Sequence, residues 1–260
     1  MDYSRTTLKG KTALVTGASR NIGRAIALAF AAEGADLVLN TRANRDELEA
    51  VAAECRKVGV RAVTALGDVG DPAAVEAVVK TGLSALGTID VLVCNAAIRP
   101  HKSIEETSIE EWHHVMAVDL HQAFYLARAV VPGMKARRRG SIIALGGQSS
   151  VTSRPNTAAV TVAKHGLLGL IRALAAELGP FGIRANMVLP GYIDTERRYA
   201  EWYPEFRQSP PGSSEQLERI PLRRLGRPED IADACVYLAS EASAYVTGDA
   251  IRVMGGRVIG

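Results

Sequence analysis

The chain has 260 residues, 47% hydrophobic and 23% charged, with a formal net charge of only +3. This composition excludes a disordered polar chain, supplies a sizeable core, and argues against nucleic acid as a partner, since the basic residues are scattered. The cysteines, Cys55, Cys94 and Cys235, are odd in number and lack paired spacing, so neither a disulfide framework nor a metal site is expected. The first residues contain no apolar signal core and no stretch is expected to reach a bilayer span. A cytoplasmic protein with no membrane partner is the expectation.

In chain order, short apolar β-rich runs predict strands over residues 12–16, 35–40, 60–66, 89–95, 141–145, 183–189 and 250–253. Helical spacing fills the gaps, as in Ile22, Ile26 and Phe30, or in Val51, Cys55 and Val58 after a start at Asn44. Strand alternating with helix predicts an α/β fold, a doubly wound parallel sheet of about seven strands with helices on both faces and ligands at the carboxyl ends of the strands. No linker interrupts the pattern, so residues 1–260 are expected to form a single domain. The run Arg137, Arg138 and Arg139 reads as a solvated helix end opposing the helix dipole. Residues 191–226 break the rhythm with Trp202, Tyr203, Pro204, Pro210, Pro211, Gly212 and Pro221, and are expected to form a substrate lid or an insertion, the alternative being a flexible excursion packed on a neighbouring subunit.

The first strand runs into Thr16-Gly17-Ala18-Ser19-Arg20-Asn21-Ile22-Gly23 and then a helix. Glycines in such a turn let backbone amides and a helix amino end face a pyrophosphate. Further along stand Asp68-Val69, Asn95-Ala96-Ala97, Pro190-Gly191-Tyr192-Ile193-Asp194-Thr195, the run Arg224-Leu225-Gly226-Arg227-Pro228-Glu229-Asp230, and Val246-Thr247-Gly248. Together these motifs resemble the short-chain dehydrogenase/reductase family over nearly the whole chain. Asn21 stands where the family turn T-G-x-x-x-G-x-G has its middle glycine, a departure asparagine tolerates because it visits positive φ more readily than most residues.

The resemblance implies a Rossmann-like fold and a nicotinamide dinucleotide held by Gly17, Ser19, Arg20, Asn21, Ile22, Gly23, Asn40, Arg42, Asp68, Val69, Asn95, Ala96, Ala97, Lys164, Pro190, Gly191, Ile193 and Thr195. NAD-binding relatives carry an acidic residue at the end of the second strand; Asn40-Thr41-Arg42 has none, and Arg20 with Arg42 suits a 2′-phosphate. NADP(H) is therefore the expected cofactor, with NAD(H) the alternative. The family also implies a small-molecule substrate and a homotetramer or homodimer.

The family's chemistry uses a tyrosine four residues before a lysine, a serine thirteen residues before that tyrosine, and an asparagine on the preceding helix. Here Lys164 is present, but Val160, Gly147 and Asp119 occupy the other three places. Carbonyl reduction thus lacks its acid, a loss that commonly costs about 10²–10⁴ in rate. Thr161, Ser149 and Ser150 are weak substitutes, and His165, His101, His113, His114 and His121 read as structural. Asp119 with Lys164 resembles the 2,4-dienoyl-CoA reductase branch, where an aspartate and the lysine hold a proton-donating water. Three readings stay open: an oxidoreductase with this altered proton route acting on a conjugated enoyl or dienoyl group, a catalytically silent NADP(H)-binding homologue, and a weak carbonyl reductase of 3-oxoacyl type.

Overall fold

The computed structural model describes residues 7–196 and 211–259. Seven strands, β1 (Thr12–Val15), β2 (Asp36–Thr41), β3 (Ala62–Leu66), β4 (Val91–Cys94), β5 (Gly140–Leu145), β6 (Ile183–Pro190) and β7 (Ala250–Val253), form one parallel sheet in the order β3-β2-β1-β4-β5-β6-β7. Each predicted run supplies one strand. The order reverses between β1 and β4, which opens a crevice above their carboxyl ends.

Alternation along each strand divides the core into two layers. In β4, Val91 and Val93 face a cluster with Ile26, Phe30 and Cys235, whereas Leu92 and Cys94 face another with Leu126, Leu167 and Ile171. The first layer holds α1 (Asn21–Ala32), α2 (Arg45–Lys57) and α8 (Pro228–Ala239). The second holds α3 (Pro72–Leu86), α5 (Gln122–Arg137) and α6 (Ala158–Leu178). The short helices α4 (Ile109–Met116) and α7 (Ser214–Glu218) lie in the connections.

Several expectations are corrected. Val58 follows the end of α2 and is 60% exposed, because the turn at Gly59 has already carried the chain off the helical face. The arginine run is not merely solvated: Arg137 and Arg139 reach the buried carboxylate of Asp90 at 3.4 and 3.3 Å, and Arg137 donates to the Ile89 carbonyl at 2.9 Å. Asp90 also accepts from the Thr12 amide, so these arginines help neutralise a buried charge beneath the sheet. Residues 158–181 form a helix long and apolar enough to cross a membrane by length and composition, contrary to expectation. Its buried residues, among them Leu167, Ile171 and Leu178, lie against the sheet. Of residues 191–226, the aromatic and proline-rich part containing Trp202, Tyr203, Pro204 and Pro210 lies outside the described residues.

Candidate active site

The dinucleotide turn is built around Thr16. Its hydroxyl accepts the amides of Asn95 at 3.0 Å and Ala96 at 3.1 Å, tying the end of β1 to that of β4. Asn95 returns its side-chain amide to the carbonyls of Thr16 at 2.8 Å and Gly17 at 3.2 Å. Gly17 has φ +62°, and a Cβ on Gly23 would stand 2.1 Å from the Gly17 carbonyl oxygen, so only glycine fits at that second place. Asn21 adopts φ +49°, the conformation the family glycine would supply. Its amide also pairs reciprocally with the backbone of Glu196, donating to the carbonyl at 3.0 Å and accepting the amide at 3.1 Å.

The amino end of α1 suits an anion. It has no side-chain cap and no acidic residue in its first turn, unlike α3 and α4, which Asp71 and Ser108 cap. Arg20 lies beside it, with a buried Nη1 that makes no hydrogen bond and is 4.0 Å from Glu196. Arg42 is exposed at the end of β2. These are the groups that would hold a pyrophosphate and a 2′-phosphate.

Other positions divide by where their side chains go. Ser19 meets the Thr41 hydroxyl at 3.4 Å, and Asp68 accepts the Gly70 amide at 2.9 Å in a tight turn beside Val69, whose own side chain is buried. Ile22, Ala96 and Thr195 are partly buried and Ala97 is exposed. Gly191 packs where a Cβ would meet the Met254 backbone at 2.7 Å, next to Pro190 at the end of β6. Two of these side chains turn inward. Asn40 is 1% exposed and spends its amide on the carbonyls of Ala65 and Gly67, both at 3.1 Å, because it must close the ends of β2 and β3. Ile193 turns into the core, where its bridge to Gly226 holds it. Neither side chain faces the crevice.

At the chemical end, a π-helical turn (Ala117–His121) joins α4 to α5 and carries Asp119. Such turns insert an extra residue and re-aim a side chain, which periodicity alone does not reveal. Asp119 is fully buried; its Oδ1 accepts the Ile98 amide at 2.8 Å, and its Oδ2 stands 3.3 Å from Lys164 Nζ. The latter contact is an ion pair by distance, yet Oδ2 receives no hydrogen bond of adequate angle. Lys164 is 3% exposed and donates to the Leu145 carbonyl at 3.2 Å. Val160 lies in an apolar cluster with Val115, Met116 and Ala163. Ser150 is buried against Gly146, and His165 is exposed on α6 with its ring nitrogen on the Thr161 carbonyl.

Sequence reasoning passed over three residues. Gln122 ties the site together, donating to the carbonyls of Ala96 and Val118 and lying 3.4 Å from the Thr16 hydroxyl. Arg99 brings a guanidinium nitrogen to 3.5 Å from where a Cβ on Gly147 would stand. Arg257 donates to Gln148 at 3.2 Å and to the Tyr192 hydroxyl at 2.8 Å. The only available signal was the position of Arg99, two residues beyond the Asn95-Ala96-Ala97 motif.

Comparison with known proteins finds relatives along nearly the whole chain. The family model described as enoyl-(acyl carrier protein) reductase matches residues 17–257. The chain is 37% identical over 254 residues to L-rhamnose 1-dehydrogenase (NAD(P)(+)) of Sphingomonas sp. (strain SKA58), covering 97% of this chain and 98% of that protein. It is 36% identical over 248 residues to the 3-oxoacyl-(acyl-carrier-protein) reductase FabG of Escherichia coli (strain K12), covering 95% and 97%. Among solved structures, a short-chain type dehydrogenase/reductase from Mycobacterium marinum aligns with a TM-score of 0.88 at 33% identity, covering 99% of each chain. A gluconate 5-dehydrogenase from Burkholderia cenocepacia J2315, in complex with NADP and tartrate, aligns with a TM-score of 0.88 at 33% identity, covering 98% of this chain and 97% of that one. With the glycine turn, the parallel sheet and these likenesses in agreement, the chain belongs to the short-chain dehydrogenase/reductase family of NAD(P)-dependent oxidoreductases.

Proposed function

We propose that this oxidoreductase prefers NADP(H) and reduces a conjugated enoyl or dienoyl group, with its proton routed through Asp119 and Lys164. The observation that carries the reading is the buried pair itself, 3.3 Å apart, at a site where Val160 and Gly147 offer no proton donor. The bound dinucleotide would supply a hydride. Gly17, Gly23 and the amino end of α1 would hold its pyrophosphate, and Arg20 with Arg42 its 2′-phosphate. Lys164 contributes positive charge where an enolate oxygen develops, and Asp119 orients the lysine and a proton-carrying water. Protonation then occurs on carbon, which needs no acidic side chain on a carbonyl oxygen. Residues 191–226 act as the lid. Assembly into a homotetramer or homodimer uses α5 and α6, where Phe124 and Val162 are half exposed.

The test is NADPH consumption against a panel of ketones and α,β-unsaturated thioesters, together with direct NADPH titration. Turnover of an enoyl or dienoyl thioester, slowed by Asp119→Ala and by Lys164→Ala at saturating NADPH, supports the reading. NADPH binding without reduction of any conjugated acceptor overturns it in favour of a silent binding protein. That second reading draws on Lys164, whose contacts with Leu145 and Asp119 are both internal. Strong ketone reduction would instead favour the 3-oxoacyl-type alternative.

A further inference from the structure

The space beside Gly147 is bordered by a cation. In the expected chemistry position 147 carries a small neutral hydroxyl; here it is glycine, and the nearest group to its absent Cβ is Arg99 Nη2 at 3.5 Å. A hydroxyl oxygen on that Cβ would extend roughly 1.4 Å further, so the Arg99 guanidinium borders the volume it would occupy. Arg99 is exposed, and its guanidinium has no hydrogen bond or ion pair among the described residues.

A second guanidinium approaches the next residue. Arg257 Nε donates to Gln148 Oε1 at 3.2 Å, its Nη2 donates to Tyr192 at 2.8 Å, and its carbon lies 3.8 Å from the Tyr192 ring centroid. Arg257 thus bridges the loops after β5 and β6, at the carboxyl ends of the sheet where ligands bind in this architecture. Its Nη1 is buried and makes no hydrogen bond. Burial lowers Arg257 from the ordinary guanidinium range; Tyr192 opposes that fall, whereas Arg154 and Arg219 add to it. Among the described residues, no carboxylate appears among the charges acting on it.

Beside Gly147 and Gln148, then, stand two guanidinium groups with donors to spare and, among the described residues, no carboxylate paired with them. A purely structural arginine at this depth would normally have its buried donors satisfied. Asp119 is not available as a counterion, since its carboxylate serves the Ile98 amide and Lys164. Arginine forks recognise planar or tetrahedral oxyanions.

We propose that the substrate is anionic, and that Arg99 and Arg257 hold its carboxylate or phosphoryl group across the Gly147–Gln148 step. This rests on the reading above that the Lys164 end of the crevice is the reaction pocket. It adds a substrate class: the reducible group is flanked by an anionic oxygen group rather than being a simple neutral ketone or alkene.

The test is a binding measurement that needs no turnover. The protein, with and without saturating NADPH, is titrated calorimetrically with succinate, with glycerol 3-phosphate and with neutral succinamide. NADPH fills the arginines at the cofactor end, so the anion signal in its presence belongs to this second site. The expected result is binding of at least one anion and none of succinamide, with Arg99→Gln and Arg257→Gln each weakening the anion about tenfold or more. Whichever of succinate or glycerol 3-phosphate binds more tightly identifies the carboxylate or the phosphoryl as the preferred group. Arg257→Lys, which keeps the charge but loses the fork, guards against a loss caused by loosening of the Tyr192 contact and should fall between. Unchanged NADPH affinity with no anion binding overturns the proposal, as does anion binding indifferent to both arginines. Failure to bind NADPH strikes the cofactor reading instead, and the Arg99→Gln comparison without NADPH still decides this one.

Discussion

Removing the carboxylate of Asp119 is a severe test of how the site is held together. Asp119→Ala leaves Lys164, only 3% exposed, with the Leu145 carbonyl at 3.2 Å as its remaining partner. It also strips the Ile98 amide of an acceptor at 2.8 Å. Breaking one side of a buried ion pair costs about 3–5 kcal/mol, and an orphaned buried amide about 1–3 kcal/mol, the two overlapping in one cavity. The expected loss is about 3–5 kcal/mol, or a fall in Tm of roughly 6–20 °C for a chain of this size. Asp119→Asn keeps an oxygen for Ile98 and should cost clearly less. In Asp119→Ala with Lys164→Met the uncompensated cation is gone, so the pair of changes should cost much less than the sum of the two single ones. Urea unfolding of the cofactor-free protein measures all four. Additive single costs, or a loss below about 1 kcal/mol for Asp119→Ala, would refute the view that these residues form one buried electrostatic unit.

Three other outcomes are expected. NADPH should bind more tightly than NADH, and Arg42→Ala should remove most of that preference, as titration of both cofactors will show; equal affinities in the unaltered protein would contradict the 2′-phosphate assignment. Ketone reduction should be weak, and Gly147→Ser with Val160→Tyr should raise it, since among the described residues only Arg99 and Pro190 approach the place of a Cβ on Gly147; no gain on any ketone with intact NADPH binding would mean the site differs by more than the two missing groups. The cysteines are free and buried, and burial raises Cys55 to about 11, Cys94 to about 12 and Cys235 higher still. Their thiolates are therefore scarce below those values, and a thiol reagent at pH 8 should label the native protein far more slowly than the unfolded chain.

The fold was legible because its strands are buried on both faces and read as short apolar runs, each bounded by a turn. Boundaries shifted where an apolar or amide-bearing residue lies just outside the ladder, as at Ile89 and Val60, ahead of β4 and β3. The glycine turn was legible for a related reason: Gly23 is demanded by a local collision with Gly17. The inward turn of Asn40 was not, since it depends on β3 ending beside β2, and nothing within β2 announces it. Nor was Arg99, whose meaning comes from Gly147, a residue distant in sequence that folding brings opposite it. Periodicity reports which side of an element is buried; it does not report which loops meet above the sheet.

The reciprocal pairing of Asn21 with Glu196 has a mechanical consequence. A glycine at position 21 has no side chain with which to grip anything, so the turn that receives the pyrophosphate would keep only the 4.0 Å contact of Arg20 with Glu196 in the segment leaving β6. Here one carboxamide grips that segment's backbone at two points, with 3.0 and 3.1 Å contacts. Drawing the segment away breaks both bonds together, a net cost of roughly 1–3 kcal/mol, and leaves an asparagine at φ +49° with no compensating partner. The floor of the cofactor cradle and the segment that follows β6 are therefore tied to each other, and displacement of one is felt by the other.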